Sequence, residues 1–154
     1  MRDFSEADQK KKNERIHIQE NPGNLSKGLL SQLEGTLKAA LKDGYLSCPV
    51  AWEIAKESDV PKTAIGEIAD RLSIRITNCQ LGCFKIEKTP YDKSVHKNID
   101  GEVITTLETL KEKDQLTCAK VFELARQFKL KPMVIANEVN AIGLKVRGCQ
   151  LGCF

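Results

Sequence analysis

The hexapeptide Cys-Gln-Leu-Gly-Cys-Phe occurs twice in this chain, at 79–84 and at 149–154. Each copy has a third cysteine upstream, Cys48 for the first and Cys118 for the second. The offset is 70 residues throughout (149 − 79 = 118 − 48 = 70), without a gap. Such self-similarity marks a tandem duplication and points to two small units of about 55 residues each. Aligning 46–84 on 116–154 pairs Leu46 with Leu116, Glu53 with Glu123, Ala55 with Ala125 and Ile65 with Ile135. Trp52 against Phe122, Ile54 against Leu124, Val60 against Leu130 and Ile76 against Val146 keep apolar character. Outside the hexapeptide the copies have drifted, so the cysteines stand in the part that differs least between them.

Units this small bury a limited core, and docking or a staple such as a metal would help them. The chain carries 24 Lys+Arg against 21 Asp+Glu, a net charge of +3. That is mildly basic, short of the strongly cationic footprint of a protein held to DNA mainly through phosphates. No apolar run approaches the ~20 residues that span a bilayer. Met1 to Glu20 is charged throughout and has no apolar stretch of the signal-peptide kind. The expected location is cytoplasmic, where thiols stay reduced, and no membrane partner is expected. Three cysteines per unit cannot all pair within it, so a disulfide framework fits least.

Residues 1–24 are polar and are expected to form a flexible leader, with Lys10-Lys11-Lys12 as a solvated run. Ser26 opens a helical stripe of Leu29, Leu30, Leu33, Leu37, Ala40 and Leu41 that ends at Asp43-Gly44. The matching stripe is Val103, Ile104, Leu107 and Leu110. Ser47 and Thr117 are expected N-caps, with Pro49 favoured in the first turn of the helix that follows. Short helices are expected over 50–57 and 120–127, then tight turns, then second helices over 61–72 and 132–142. Residues 73–77 and 143–147 alternate apolar and polar as half-buried strands do. With 84–87 alternating again, 73–87 is expected to form a β-hairpin. Residues 88–100 are expected to be a linker.

Trp52 to Ile65 resembles the helix-turn-helix signature of bacterial and archaeal transcriptional regulators. Ala55 is small where a second helix crosses, Val60 plugs the corner, and Ile65 and Ile68 pin that helix. Ala125, Leu130 and Ile135 repeat the pattern. The turn position usually given to glycine holds Asp59 and Lys129, and the usual Ser/Thr cap is Pro61 or Lys131. The resemblance covers about 40 residues per copy. It implies a mainly α fold with short β-hairpins, arranged as two repeated winged helix-turn-helix-like domains at 25–87 and 101–154. It also implies that the second helix of each copy meets base edges in the major groove. Lys62, Thr63 and Glu67 would face outward in the first copy, and Lys131, Met133 and Asn137 in the second. Arg75, Lys145 and Arg147 would reach phosphates. Glu67 accepts only from cytosine and is otherwise repelled by phosphate, as is Asp70.

The cysteine sets are Cys48, Cys79 and Cys83, and Cys118, Cys149 and Cys153. A strand beside the hairpin would let the three sulfurs of a copy converge, with Gly82 curling the loop. Three thiolates suit zinc with a fourth ligand, or an iron–sulfur cluster with one open iron. His17 and His96 do not share the register and supply no evident fourth ligand. The alternative is that the cysteines are small buried hydrophobes. There is no glycine-rich phosphate loop and no repeated Ser/His/Asp grouping, so an enzyme is not expected. Two functions remain open from the sequence. One is a regulator of transcription that binds double-stranded DNA and responds to metal or redox state through the cysteines. The other is a metal or iron–sulfur redox or assembly module that uses the same scaffold for contacts with a protein partner or a second copy.

Overall fold

The computed structural model describes residues 22–83, 101–112 and 116–153. Most of the leader, the return residues 84–87 and the linker 88–100 lie outside the described residues, as do His17 and His96. The described chain is mainly helical with a small two-stranded sheet. Contacts divide it into two compact units, Met1–Thr77 and Asn78–Phe154. Cys79 to Cys83 fall in the second of these units.

In the first unit, α1 spans Lys27–Ala39 and is capped by Ser26, whose hydroxyl accepts from the Leu29 N–H at 3.3 Å. Leu33 and Leu37 carry the buried face of the expected stripe. Glu34 on this helix forms an ion pair with Arg71. The chain reverses at Asp43-Gly44, both at positive φ, and Lys42 and Tyr45 exchange backbone hydrogen bonds of 2.9 Å. Asp-Gly suits a two-residue turn that needs φ > 0 twice. β1 (Tyr45–Ser47) then runs into α2 (Cys48–Glu57), with Pro49 in its first turn, where a missing N–H costs nothing. Ser47 occupies the N-cap position without a side-chain cap bond. α3 (Lys62–Arg71) and β2 (Arg75–Thr77) complete the unit.

Asp59, at φ 51°, ends α2, and the Val60 N–H donates to the Ala55 carbonyl at 3.0 Å. This six-to-one bond satisfies a carbonyl that the finished helix would otherwise leave open. Ser73, at φ 56°, does the same after α3, with Ile74 N–H to Ala69 carbonyl at 2.8 Å. β1 and β2 pair in parallel, Leu46 opposite Ile76. β1 is the short strand expected beside 73–77, and the return strand 84–87 of the expected hairpin lies outside the described residues. Parallel neighbours need a crossover, and α2, the turn and α3 supply it while Leu46 and Ile76 are buried in the core.

The second unit repeats these devices at the same offset. α4 (Gly101–Glu112) buries Val103, Leu107 and Leu110. α5 (Cys118–Gln127) is capped by Thr117, which accepts from the Lys120 N–H at 3.3 Å. Lys129, at φ 53°, ends α5, with Leu130 N–H to Ala125 carbonyl at 2.8 Å. Gly143 ends α6 (Pro132–Ala141), with Leu144 N–H to Val139 carbonyl at 2.8 Å. The parallel pairing shrinks to one bridge between Thr117 and Arg147. The strand expected over 143–147 is thus a single pairing position.

The buried positions also keep register, with one exchange of polarity. Ile68 is fully buried, and its counterpart Glu138 is only 6% exposed. Burial pushes the Glu138 carboxyl above its ordinary value of 4.5. The folded unit thus holds a proton that the unfolded chain releases, and stability falls as pH rises from about 4.5 through the raised value. Glu138→Ile is expected to stabilise the second unit at neutral pH by about 1–2 kcal/mol. Thermal melts at acid and neutral pH should show the gain at neutral pH and little at acid pH.

Candidate functional site

The outward residues of α3 and α6 do not stand alike. On α3, Thr63 is exposed and Glu67 and Asp70 are half-buried. The Lys62 ammonium lies 3.5 Å from the centre of the Trp52 ring, a cation–π contact within the first unit. Its charge is directed onto α2 rather than outward. A Cβ at Gly23 would stand 3.4 Å from the Ala64 Cβ, so the 3-10 turn at Pro22–Asn24 packs on the N-terminal end of α3. Arg75 is half-buried on β2. In the second unit, Lys131 and Lys145 are exposed, Met133 and Asn137 are half-buried on α6, and Arg147 is exposed at the parallel bridge. Pro132 replaces Lys62 there, so no cation covers Phe122 from that position.

The two hexapeptide loops share one backbone form. Asn78 and Gly148 stand before them at φ 51° and 58°, and Gly82 and Gly152 curl them at φ 70° and 71°. The Gly82 N–H donates to the Cys79 carbonyl at 2.8 Å, and Gly152 N–H to the Cys149 carbonyl at 2.9 Å. Leu81 and Leu151, at 1% and 2% exposure, anchor the loops in the core. Side chains other than glycine are strained in this left-handed region, which explains Gly82 and Gly152.

The sulfurs are arranged by these loops. In each one the second cysteine is hydrogen-bonded to the first, Cys83 to Cys79 and Cys153 to Cys149. The Leu151 N–H also donates to Cys149 Sγ at 3.4 Å. The bond with Cys153 pulls the Cys149 thiol down to about 6, against the opposing effect of burial. In the first loop the bond to Cys79, and then burial, push Cys83 up. Burial pushes Cys118 up as well, opposed by Gln150, whose Nε2 donates to Cys118 Sγ at 3.7 Å. The second unit thus holds five cysteines, and Cys83 feels the charges of Cys79, Cys118 and Cys149.

Comparisons with protein-family models, with curated proteins and with solved structures find no match.

Cys48 is buried at the start of α2, and Cys79 and Cys83 stand in the first hexapeptide loop. Cys118, Cys149 and Cys153 lie in one unit. Among the described residues, no group of three or more His, Cys, Asp or Glu is arranged to hold a metal ion. No helix among them is long and apolar enough to cross a membrane. Sequence reasoning missed Gln150 as the donor to Cys118, although glutamine recurs in both hexapeptides. It also missed the Lys62–Trp52 contact, which joins two helices and leaves no periodic trace.

The depressed Cys149 value has a measurable sign. Its thiolate is favoured by folding, so this stabilisation is complete above the ordinary value of 9.0 and is lost as pH falls through about 6. Ultraviolet thiolate absorbance of the reduced protein should show a first step near pH 6. Cys149→Ser should remove that step.

Proposed function

We propose that this chain is a regulator of transcription that binds duplex DNA through two winged helix-turn-helix units. One observation carries this reading. Two ten-residue helices joined across a left-handed residue recur at the same offset in both units, with Ala55 and Ala125 buried beside Ile65 and Ile135. A small residue lets the second helix cross closely, as a reading helix must.

The second unit makes the stronger contact in this reading. Lys131 and Lys145 are exposed, Asn137 suits adenine, and Met133 offers an apolar surface to thymine methyl groups. The first unit contributes Thr63, while Lys62 is engaged with Trp52 and Glu67 and Asp70 oppose phosphate. Arg75 and Arg147 flank the two helices near the strands. A second reading, a thiol-based redox or metal module on the same scaffold, is favoured by the five cysteines of the second unit. Zinc or an iron–sulfur cluster there rests on the sequence spacing, and metal and sulfide analysis of protein purified without oxygen tests it.

Anisotropy titrations with a pool of duplex fragments test the DNA reading. Affinity should fall linearly with salt on logarithmic axes, and Lys131→Ala with Lys145→Ala should lower that slope by about 2. Lys62→Ala should leave affinity within roughly twofold, since its charge faces Trp52. Failure of the wild-type protein to bind any duplex at low salt would remove the proposal.

A further inference from the structure

We propose that Lys129 is a phosphate-gripping residue, and that the turn it occupies is where the second unit meets the backbone of a duplex. Resting on the DNA reading above, this role falls to a position that the helix-turn-helix pattern gives to glycine for its backbone alone. Here the position carries a charge.

The backbone at this turn is fixed. Lys129 stands at φ 53°, and its N–H donates to the Arg126 carbonyl at 3.2 Å. The Leu130 N–H closes the turn on the Ala125 carbonyl at 2.8 Å. Lysine is uncommon in the left-handed region, where glycine, asparagine and aspartate are at ease. Asp59 holds the same conformation in the first unit, at φ 51° and with the matching bond from Val60 to Ala55. A residue held against its backbone preference points to a role for its side chain. Lys129 is exposed, so core packing does not supply that role.

Charge does. The stretch 126–131 reads Arg-Gln-Phe-Lys-Leu-Lys, three cations and no carboxylate. The matching stretch 56–61 reads Lys-Glu-Ser-Asp-Val-Pro, one cation and two carboxylates. Upstream of Arg126 the first carboxylate is Glu123, and Lys120 already holds it at 2.8 and 2.9 Å. Arg126, Lys129 and Lys131 are all exposed. Among the described residues, Arg126 and Lys129 have neither an ion pair nor a side-chain hydrogen bond. Uncompensated positive charge of this kind attracts a polyanion. The turn runs straight into α6, so it stands beside the rim of any groove that α6 enters. In the first unit the carboxylate of Asp59 turns the same feature against phosphate.

Anisotropy titrations of the full chain against a mixed-sequence duplex, repeated over a range of salt, test this role. Lys129→Asn removes the charge with a side chain that suits the turn, so its melting temperature should be no lower than that of the wild type. Its slope of log affinity against log salt should be shallower by about 1, with affinity lost evenly across sequences. Lys111→Asn removes the same charge from an exposed site on α4 and should keep the wild-type slope. Equal slopes in all three proteins would overturn the proposal. So would an equal fall in both variants, which marks net charge rather than the turn. Should the asparagine variant misfold, Lys129→Gly suits the same backbone and takes its place. A wild-type protein that binds no duplex at low salt removes the DNA reading and this role together. One that binds, with the slope unmoved by Lys129→Asn, removes this role alone.

Discussion

The fold depends on stopping a helix abruptly and sending the chain back over it. Each unit does this with a residue forced into the left-handed region and a six-to-one hydrogen bond across it. Asp59, Ser73 and Lys129 accept that conformation without being glycine, at a cost of about 1–2 kcal/mol each. The cost is offset only because the next segment then buries Ile65, Ile74 or Ile135 against the helix just ended. Local preference alone would not choose these turns. Packing imposes them, and the recurrence of the same geometry in both units shows that the imposition does not depend on the residue present.

Where backbone geometry is shared, chemistry has diverged. Trp52 receives Lys62 on its face, while Phe122 meets a helix that begins with proline. Ile68 fills a core position that Glu138 occupies in the other unit. The loops differ in which sulfur is accessible, although their sequences are identical. Duplication has thus left one scaffold with two electrostatic characters, the first more self-contained and the second presenting more free cationic surface. That division underlies the assignment of the stronger nucleic-acid contact to the second unit.

Much of this was legible in the residues, for a local reason. Helix stripes such as Leu33 and Leu37 and the caps Ser26 and Thr117 are set by neighbours within a few residues. A short strand beside 75–77 was legible, but its parallel register was not, because alternation fixes which face of a strand is buried and not how its neighbour is aligned. Parallel pairing across two helices is a choice of the whole unit. The cysteines were likewise visible as a repeated spacing, whereas the hydrogen bond from Gln150 to Cys118 left no such trace. Glu138 did leave a signal, since the 70-residue register sets it against Ile68.

The boundary between Thr77 and Asn78 alters how the chain can be divided. Leu81 and Cys79, both buried, belong to the same unit as the helices after residue 101. A fragment beginning at 101 would lack side chains that complete its interior, whereas one beginning at Asn78 would carry them. By its contacts the chain divides before the first hexapeptide.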